Sequence, residues 1–425
     1  MDGHSMDRRS FLGLAFSGAV LSSGLAAESL ASPHDVSGAR MGSAPERSDL
    51  TVTRIRVYEP PNLNRTFNQS NMVVVVDTDG GITGIGEGGV TDMIRQPAAQ
   101  LIGHDPFRTE HLWQLMYRGW FYPPGLEKQH AIGALDMALW DIKGKALGVP
   151  VYDLLGGRAR EYLDCYSTGF PWQGDLESTA RACMEAGFYA YRISADNPRG
   201  DEVFDPNDAF EHNRERCAAV RRGVGAAGHW CIDFHTRLDL TQAVRLSALI
   251  EEYEPYFVED LVRSENREVY RTLRPMVNVP IAVGEQYGDR WTVNELIEDH
   301  LIDYSRITLP NAGGITEFMK LAALCETHYV GLVPHFTGTI STAALVHTCA
   351  AASAPATLEM RGDGPGEEAH LPVTFDFSEG KAWPNDRPGL GVEFDPSAAS
   401  LVAEIIEHDD PIPQFRRPDG SIQNW

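Results

Sequence analysis

Trp230-Cys-Ile-Asp233, Tyr256-Phe-Val-Glu259 and Ile281-Ala-Val-Gly-Glu285 are three short apolar runs, each closing on a carboxylate, and the carboxylates fall 26 residues apart. The rhythm continues: Tyr304 to Ile307 leads to Thr308 after 23 residues, Gly331 to Pro334 leads to His335 after 27, and Ala356 to Leu358 leads to Glu359 after 24. Helical patterns fill the intervals, for instance Thr241 to Glu254 and Ile315 to His328. A strand, a helix and two loops need about 25 residues, so the spacing is that of a βα repeat. Parallel strands closed into a barrel open their ends onto one face, where chemistry is done. Asp233, Glu259 and Glu285 then arrive from consecutive strands at one point, and their economical use is to hold a divalent cation. An Asp after a strand is often a helix cap, but two of the three are Glu, which is not a preferred cap.

Working outward, Leu50 to Val57, Asn71 to Asp77 and Ile82 to Gly86 read as an antiparallel meander of three strands, with Thr78-Asp-Gly-Gly81 as a turn. From Pro97 to Leu147 the apolar period becomes 3.6, and His130 to Leu147 is the clearest helix, with small residues on one side. Val151 to Gly157 is a short connector ending in Gly-Gly. The expected organisation is an α+β capping domain over residues 49–160, a catalytic barrel over 161–363, and a tail over 364–425. The tail carries Pro and Gly throughout, is expected to fold back on the cap, and reads as helical only over Pro396 to Glu407.

A net charge of −24 excludes nucleic acid and anionic membrane surfaces as partners, since both call for a basic footprint. The same acidic shell repels an anionic substrate, so a metal or a local Arg must reverse the field inside the site. Ahead of the cap, Arg8-Arg-Ser-Phe-Leu12 opens an uncharged stretch from Ser10 to Ala27 rich in Gly, Ala and Ser. It resembles a twin-arginine export signal, with small residues suited to cleavage between about Ala26 and Ala31. Ser and Gly dilute it too far for a good spanning helix. Residues 1–31 are therefore read as the signal and 32–48 as a flexible leader, with periplasmic or exported localisation and no stable membrane association after cleavage. The six cysteines show no Cys-x-x-Cys spacing and read as buried thiols. A homo-oligomer is expected.

Ala131-Ile-Gly-Ala-Leu-Asp-Met-Ala-Leu-Trp-Asp-Ile-Lys-Gly-Lys-Ala-Leu-Gly-Val-Pro150, then Leu154-Leu-Gly-Gly157 and Ala312-Gly-Gly-Ile-Thr-Glu317, resemble the mandelate racemase branch of the enolase superfamily. The resemblance runs from about Leu50 to the C-terminus. It implies an α/β fold, a (β/α)7β barrel under an α+β cap, with Asp233, Glu259 and Glu285 on the three metal-ligand positions. It further implies a cation chelating a carboxylate substrate, whose α-proton is removed. Three hard oxygen donors without Cys or His select Mg²⁺, or Mn²⁺, over zinc. The carbon acid is weak, so the developing enediolate needs positive charge placed in advance.

Asp233-Phe-His-Thr-Arg237 resembles the Asp-x-His-x-Arg pattern of galactonate, gluconate and mannonate dehydratases, where the His is implied to protonate the departing 3-hydroxyl. Strand alternation would turn His235 to the same side as Asp233, although a lone His is more often structural. His335 falls where many relatives carry the base, but the position of its Asp partner is held by Thr308, so base and substrate-binding roles both stay open. On the second strand, Arg192-Ile-Ser194 replaces the Lys-x-Lys of racemases, which removes lysine chemistry and leaves Arg192 to pair with substrate or with a metal ligand. The long polar stretch Ala195 to Ala209 contains no Tyr, unlike the loop of mannonate dehydratases. Glu359 matches the strand-eight carboxylate, which can hydrogen-bond a substrate carboxylate only when protonated, or else is salt-bridged. Arg65, Asn68, Trp120, Tyr122 and Arg237 are candidates to contact a polyol.

The expected function is Mg²⁺-dependent dehydration of a hexonate or aldarate to a 2-keto-3-deoxy acid, with a small-molecule sugar acid as the partner. Two alternatives remain at this level: a cycloisomerase or epimerase, which needs no leaving hydroxyl, and a non-catalytic exported carbohydrate-binding relative.

Overall fold

Valines at every position from Val73 to Val76 give the cap a strand buried along its whole length. It is β2 (Val73–Thr78), and it pairs antiparallel with β1 (Val52–Glu59) on one side and β3 (Thr83–Glu87) on the other. The structure, a computed structural model, describes residues 49–61, 63, 72–122, 125–200, 202–410 and 412–424. The export signal, the leader, Arg65 and Asn68 lie outside the described residues.

Three helices follow, α1 (Thr91–Leu101), α2 (Thr109–Arg118) and α3 (Leu126–Leu147), then the short α4 (Val151–Leu154). The small residues of α3 let it lie almost on the backbone of β3. A Cβ at Gly84 would sit 2.0 Å from the Ala138 carbonyl oxygen, and one at Gly86 would sit 1.9 Å from that of Ala134. No side chain fits there, so the glycines fix the distance between sheet and helix. Two buried carboxylates on α3 then tie the cap to the rest of the chain. Asp141 accepts from the Ile85 and Leu390 amides at 2.9 and 2.8 Å, and Asp136 accepts from the Thr316 amide and hydroxyl at 2.9 and 2.6 Å.

The barrel strands are β4 (Leu163–Thr168), β5 (Ala190–Ser194), β6 (His229–Asp233), β7 (Phe257–Glu259), β8 (Ile281–Val283), β9 (Tyr304–Ser305), β10 (Gly331–Leu332) and β11 (Leu358–Arg361). Each pairs parallel with its neighbour, β11 pairs parallel with β4, and a bridge from Leu332 to Ala356 closes the ring. Helices α5 (Leu176–Glu185), α6 (Pro206–Val224), α7 (Leu240–Ile250), α8 (Val269–Leu273), α9 (Arg290–Glu298), α10 (Leu309–Ala312) with α11 (Ile315–Thr327), and α12 (Thr339–Ala351) fill the seven crossovers. This is the (β/α)7β arrangement that the family resemblance implies, built on the βα repeat read from the 26-residue spacing. Tyr166, Ala190, Cys231, Phe257, Ala282 and Val333 pack together as one layer inside the ring, so the barrel is filled rather than hollow.

Past β11 the tail forms a hairpin, β12 (Asp376–Ser378) and β13 (Lys381–Trp383), whose second strand pairs antiparallel with the start of β4. The stretch expected to be helical over 396–407 is instead one 3-10 turn, Pro396–Ala398, followed by β14 (Ser400–Ile405). β14 pairs antiparallel with β1, setting Ile55 opposite Ile405 and making the cap sheet four-stranded. The edge of β1 offers unpaired backbone groups, and satisfying them outweighs the helical preference of an Ala- and Glu-containing run. Burial of Ala403 and Ile405 between exposed neighbours is the period-two signature of that strand. All six cysteines are buried free thiols. Among the described residues no helix is long and apolar enough to cross a membrane.

Candidate active site

Asp233 and Glu259 end β6 and β7 directly, and Glu285 lies two residues beyond β8. Asp233 and Glu259 are fully buried and Glu285 is 7% exposed. Two guanidiniums bind the three together. Arg192, on β5, donates to Asp233 and, at 3.3 Å, to Glu259. Arg306, just past β9, donates from Nε to Glu259 at 2.6 Å, from Nη2 to Glu285 at 3.1 Å and from Nη1 to Glu359 at 2.8 Å. It also reaches the Tyr166 hydroxyl. Arg192 is thus a partner of two candidate metal ligands, one of the two roles expected of it.

Arg306 was given no role on the sequence alone. Its signal was available, because it stands two residues before Thr308 and so shares that residue's side of the chain if the strand continues. A single Arg near a strand end carries no further mark.

Glu359 is salt-bridged, not protonated. Burial opposes its charge, but the Arg306 and Arg192 guanidiniums outweigh burial and hold its carboxyl down at about 2. Its other oxygen accepts from the Thr168 hydroxyl at 2.5 Å. Of the two roles left open for Glu359, the ion pair is the one this geometry favours.

His235 reaches the site by a route other than strand alternation. β6 stops at Asp233, and His235 and Thr236 are both left-handed, with φ of 47° and 58°. The His235 amide donates to Asp233 Oδ1 at 2.6 Å, which curls the chain back and sets Nε2 2.5 Å from Asp233 Oδ2. Two consecutive non-Gly residues in this region cost of order 1–3 kcal/mol each, and such strain concentrates at functional sites. The Nδ1 atom is buried and has no partner among the described residues.

His335 stands against another member of the group, with Nε2 3.5 Å from Glu285 Oε2. Its Nδ1 faces the Thr308 hydroxyl at 3.4 Å, so a neutral group occupies the place of a dyad carboxylate. Burial pushes its pKa below the ordinary value, against the pull of Glu285 and Glu359. The imidazole is therefore neutral near pH 7 and free to take a proton.

The remaining described candidates make contacts of their own. Arg237 is exposed and donates to the Ala195 carbonyl at 2.8 Å, bracing the loop after β5. Trp120 lies under the Lys128 ammonium at 4.1 Å, and Tyr122 is 72% exposed.

Asp233, His235 and Glu285 each bring one ligand atom within 4.8 Å of the others, as do Glu259, Asp260 and Glu285. Five buried carboxylates (Asp233, Glu259, Asp260, Glu285 and Glu359) face Arg192 and Arg306, which leaves three negative charges in excess when all are ionised. Burial, with the neighbouring carboxylates, pushes Glu259 and Asp260 well above the usual range. Among the described residues Asp260 Oδ2 is buried without a hydrogen-bond partner. An all-oxygen set that takes up protons in place of counter-charge fits a hard divalent cation.

Two family models match the chain: "Mandelate racemase / muconate lactonizing enzyme, N-terminal domain" over residues 49–156 and "Enolase C-terminal domain-like" over 175–398. A D-galactonate dehydratase from Ralstonia pickettii is 34% identical over 88% of this chain and 100% of its own length. A D-mannonate dehydratase from Caulobacter sp. is 32% identical over 82% and 94%. Among solved structures, an Agrobacterium radiobacter enolase with bound Na and L-malate superposes with a TM-score of 0.73 at 28% identity, over 88% of this chain and 99% of that one. A member of the enolase superfamily from Salmonella Typhimurium gives a TM-score of 0.77 at 24% identity, over 84% and 100%, and shows the fold. Cap, barrel and carboxylates at consecutive strand ends agree with these matches, and the chain belongs to the enolase superfamily, in its mandelate racemase and muconate lactonizing enzyme branch.

Proposed function

We propose that this protein is a Mg²⁺-dependent dehydratase of a hexonate or aldarate, releasing water to give a 2-keto-3-deoxy acid. The observation that carries this reading is the pair of imidazoles on different members of one carboxylate group, His235 on Asp233 and His335 on Glu285. β-Elimination from a carbon acid needs one group to take a proton and another to give one. The names of the relatives, D-galactonate and D-mannonate dehydratases, support it. Superfamily members bind a divalent metal. Held by Asp233, Glu259 and Glu285, Mg²⁺ would supply a Lewis acid for the substrate carboxylate.

His335, neutral through burial, accepts the α-proton at Nε2, while Thr308 holds Nδ1. His235 gives a proton to the departing 3-hydroxyl, so the net loss is one water. Arg192 and Arg306 keep the carboxylates aimed inward and spread their charge. No lysine stands on β5 to act as a base for racemisation. The test is a sugar-acid panel with Mg²⁺ present, read by mass spectrometry for loss of water and by semicarbazide for the keto acid. Epimerised product at unchanged mass, or binding without turnover, would refute the reading.

The export reading is part of the proposal. Residues 1–31 carry the twin-arginine pattern, and a periplasmic fraction should contain protein that starts after about Ala26. Replacing Arg8 and Arg9 by Lys should leave it in the cytoplasm.

A further inference from the structure

Next to Glu359 lies a cavity of about 80 Å³, bounded by Phe336, Thr339, Arg361, Glu368 and Phe375. That is room for roughly half a dozen water-sized spheres, enough for the end of a small polar chain. It is joined to the reacting groups at two points. Glu359, ion-paired to Arg306, forms its floor, and Phe336 stacks on the His335 ring with centroids 5.4 Å apart.

Arg361 is the unusual member. It ends β11 two residues after Glu359, so both side chains leave the strand on the same side. It is exposed to the cavity mouth, and among the described residues its guanidinium has no hydrogen-bond or ionic partner. The other charge in the cavity is already used. Glu368 accepts from the Thr339 hydroxyl at 2.5 Å and faces His370 Nε2 at 3.4 Å. The arginines at the catalytic carboxylates, by contrast, are ion-paired.

We infer that Arg361 forms a distal anion subsite and that the substrate is a dicarboxylic sugar acid, an aldarate, whose far carboxylate pairs with this guanidinium. The inference rests on the dehydratase reading above and narrows its substrate class. A guanidinium fork matches a carboxylate with two parallel hydrogen bonds. On a chain of net charge −24, a free cation at the mouth also counters the repulsion of a dianion.

The experiment compares galactonate with galactarate, and gluconate with glucarate, on the full Mg²⁺-loaded enzyme and on Arg361→Gln and Arg361→Lys. Turnover gives kcat and KM separately, and fluorescence titration gives Kd without requiring turnover. The wild type should prefer the diacid, and Arg361→Gln should lower the diacid-to-monoacid ratio of kcat/KM at least tenfold, mainly through KM. Arg361→Lys should recover part of it. An equal loss for both ligands, or no loss, overturns the subsite. Tighter binding of 6-phosphogluconate than of either diacid overturns the carboxylate assignment. If no acid is dehydrated, the dehydratase reading fails, and the Kd ratios still decide whether Arg361 selects a second carboxylate.

Discussion

At the scale of single residues, the two imidazoles divide the proposed elimination into separable halves. Removing the acid should leave proton abstraction intact. His235→Asn should still exchange the substrate α-hydrogen in D₂O, followed by NMR, while losing water elimination by two or more orders of magnitude. His335→Asn should lose both, and exchange surviving in that variant would assign the base elsewhere. Glu285 is common to both candidate metal groups, so Glu285→Gln should abolish the stabilisation that Mg²⁺ gives on calorimetric melting. That stabilisation is expected to be about 2.7 kcal/mol at a hundredfold excess over Kd. The three carboxylates were legible because strand spacing repeats and carboxylates at strand ends stand out. Arg306 was not, because its importance comes from three partners 47, 21 and 53 positions away in the chain. His235 was legible as a residue but not as a geometry, since nothing in Asp233-Phe-His announces two left-handed residues.

At the scale of elements, the seam between cap and barrel holds two carboxyls that keep their protons well above the ordinary carboxylate range. Burial pushes Glu87 up to about 7 against the Ser341 amide, and Asp136 up to about 7 against Thr316. Glu87, closing β3, accepts from Ser341 in the first turn of α12, and Asp136, on α3, accepts at the start of α11. Between the unfolded values near 4 and the folded values near 7, the native state binds more protons than the unfolded chain. Stability is therefore fully present below about pH 4 and falls as pH rises toward 7, by up to roughly 4 kcal/mol per group. Denaturant melts across that range should show the slope, and Glu87→Gln with Asp136→Asn should flatten it. Most elements were legible, since the meander, α3 and the barrel strands follow local periods. The fourth cap strand was not. Ser400 to Ile405 becomes a strand because β1 offers it an edge, and no local pattern records a partner so remote.

On the scale of the whole molecule, net charge and substrate charge have the same sign. Raising ionic strength from 10 to 200 mM should raise kcat/KM for the sugar acid, because screening weakens long-range repulsion more than the close contacts of the site. A fall would mean that local cations dominate encounter. The pairing of β14 with β1 has a temporal consequence as well. Arg54 and Glu404 meet across 350 positions, so a ribosome must deliver the chain through β14 before the capping sheet gains its outer edge. Until then β1 is a naked border, open to wrong partners. Maturation thus waits for residues 400–405, and a product stopped at residue 395 should accumulate as aggregate. A secretion pathway that accepts cargo only once it is folded would, on this architecture, be waiting for the last strand.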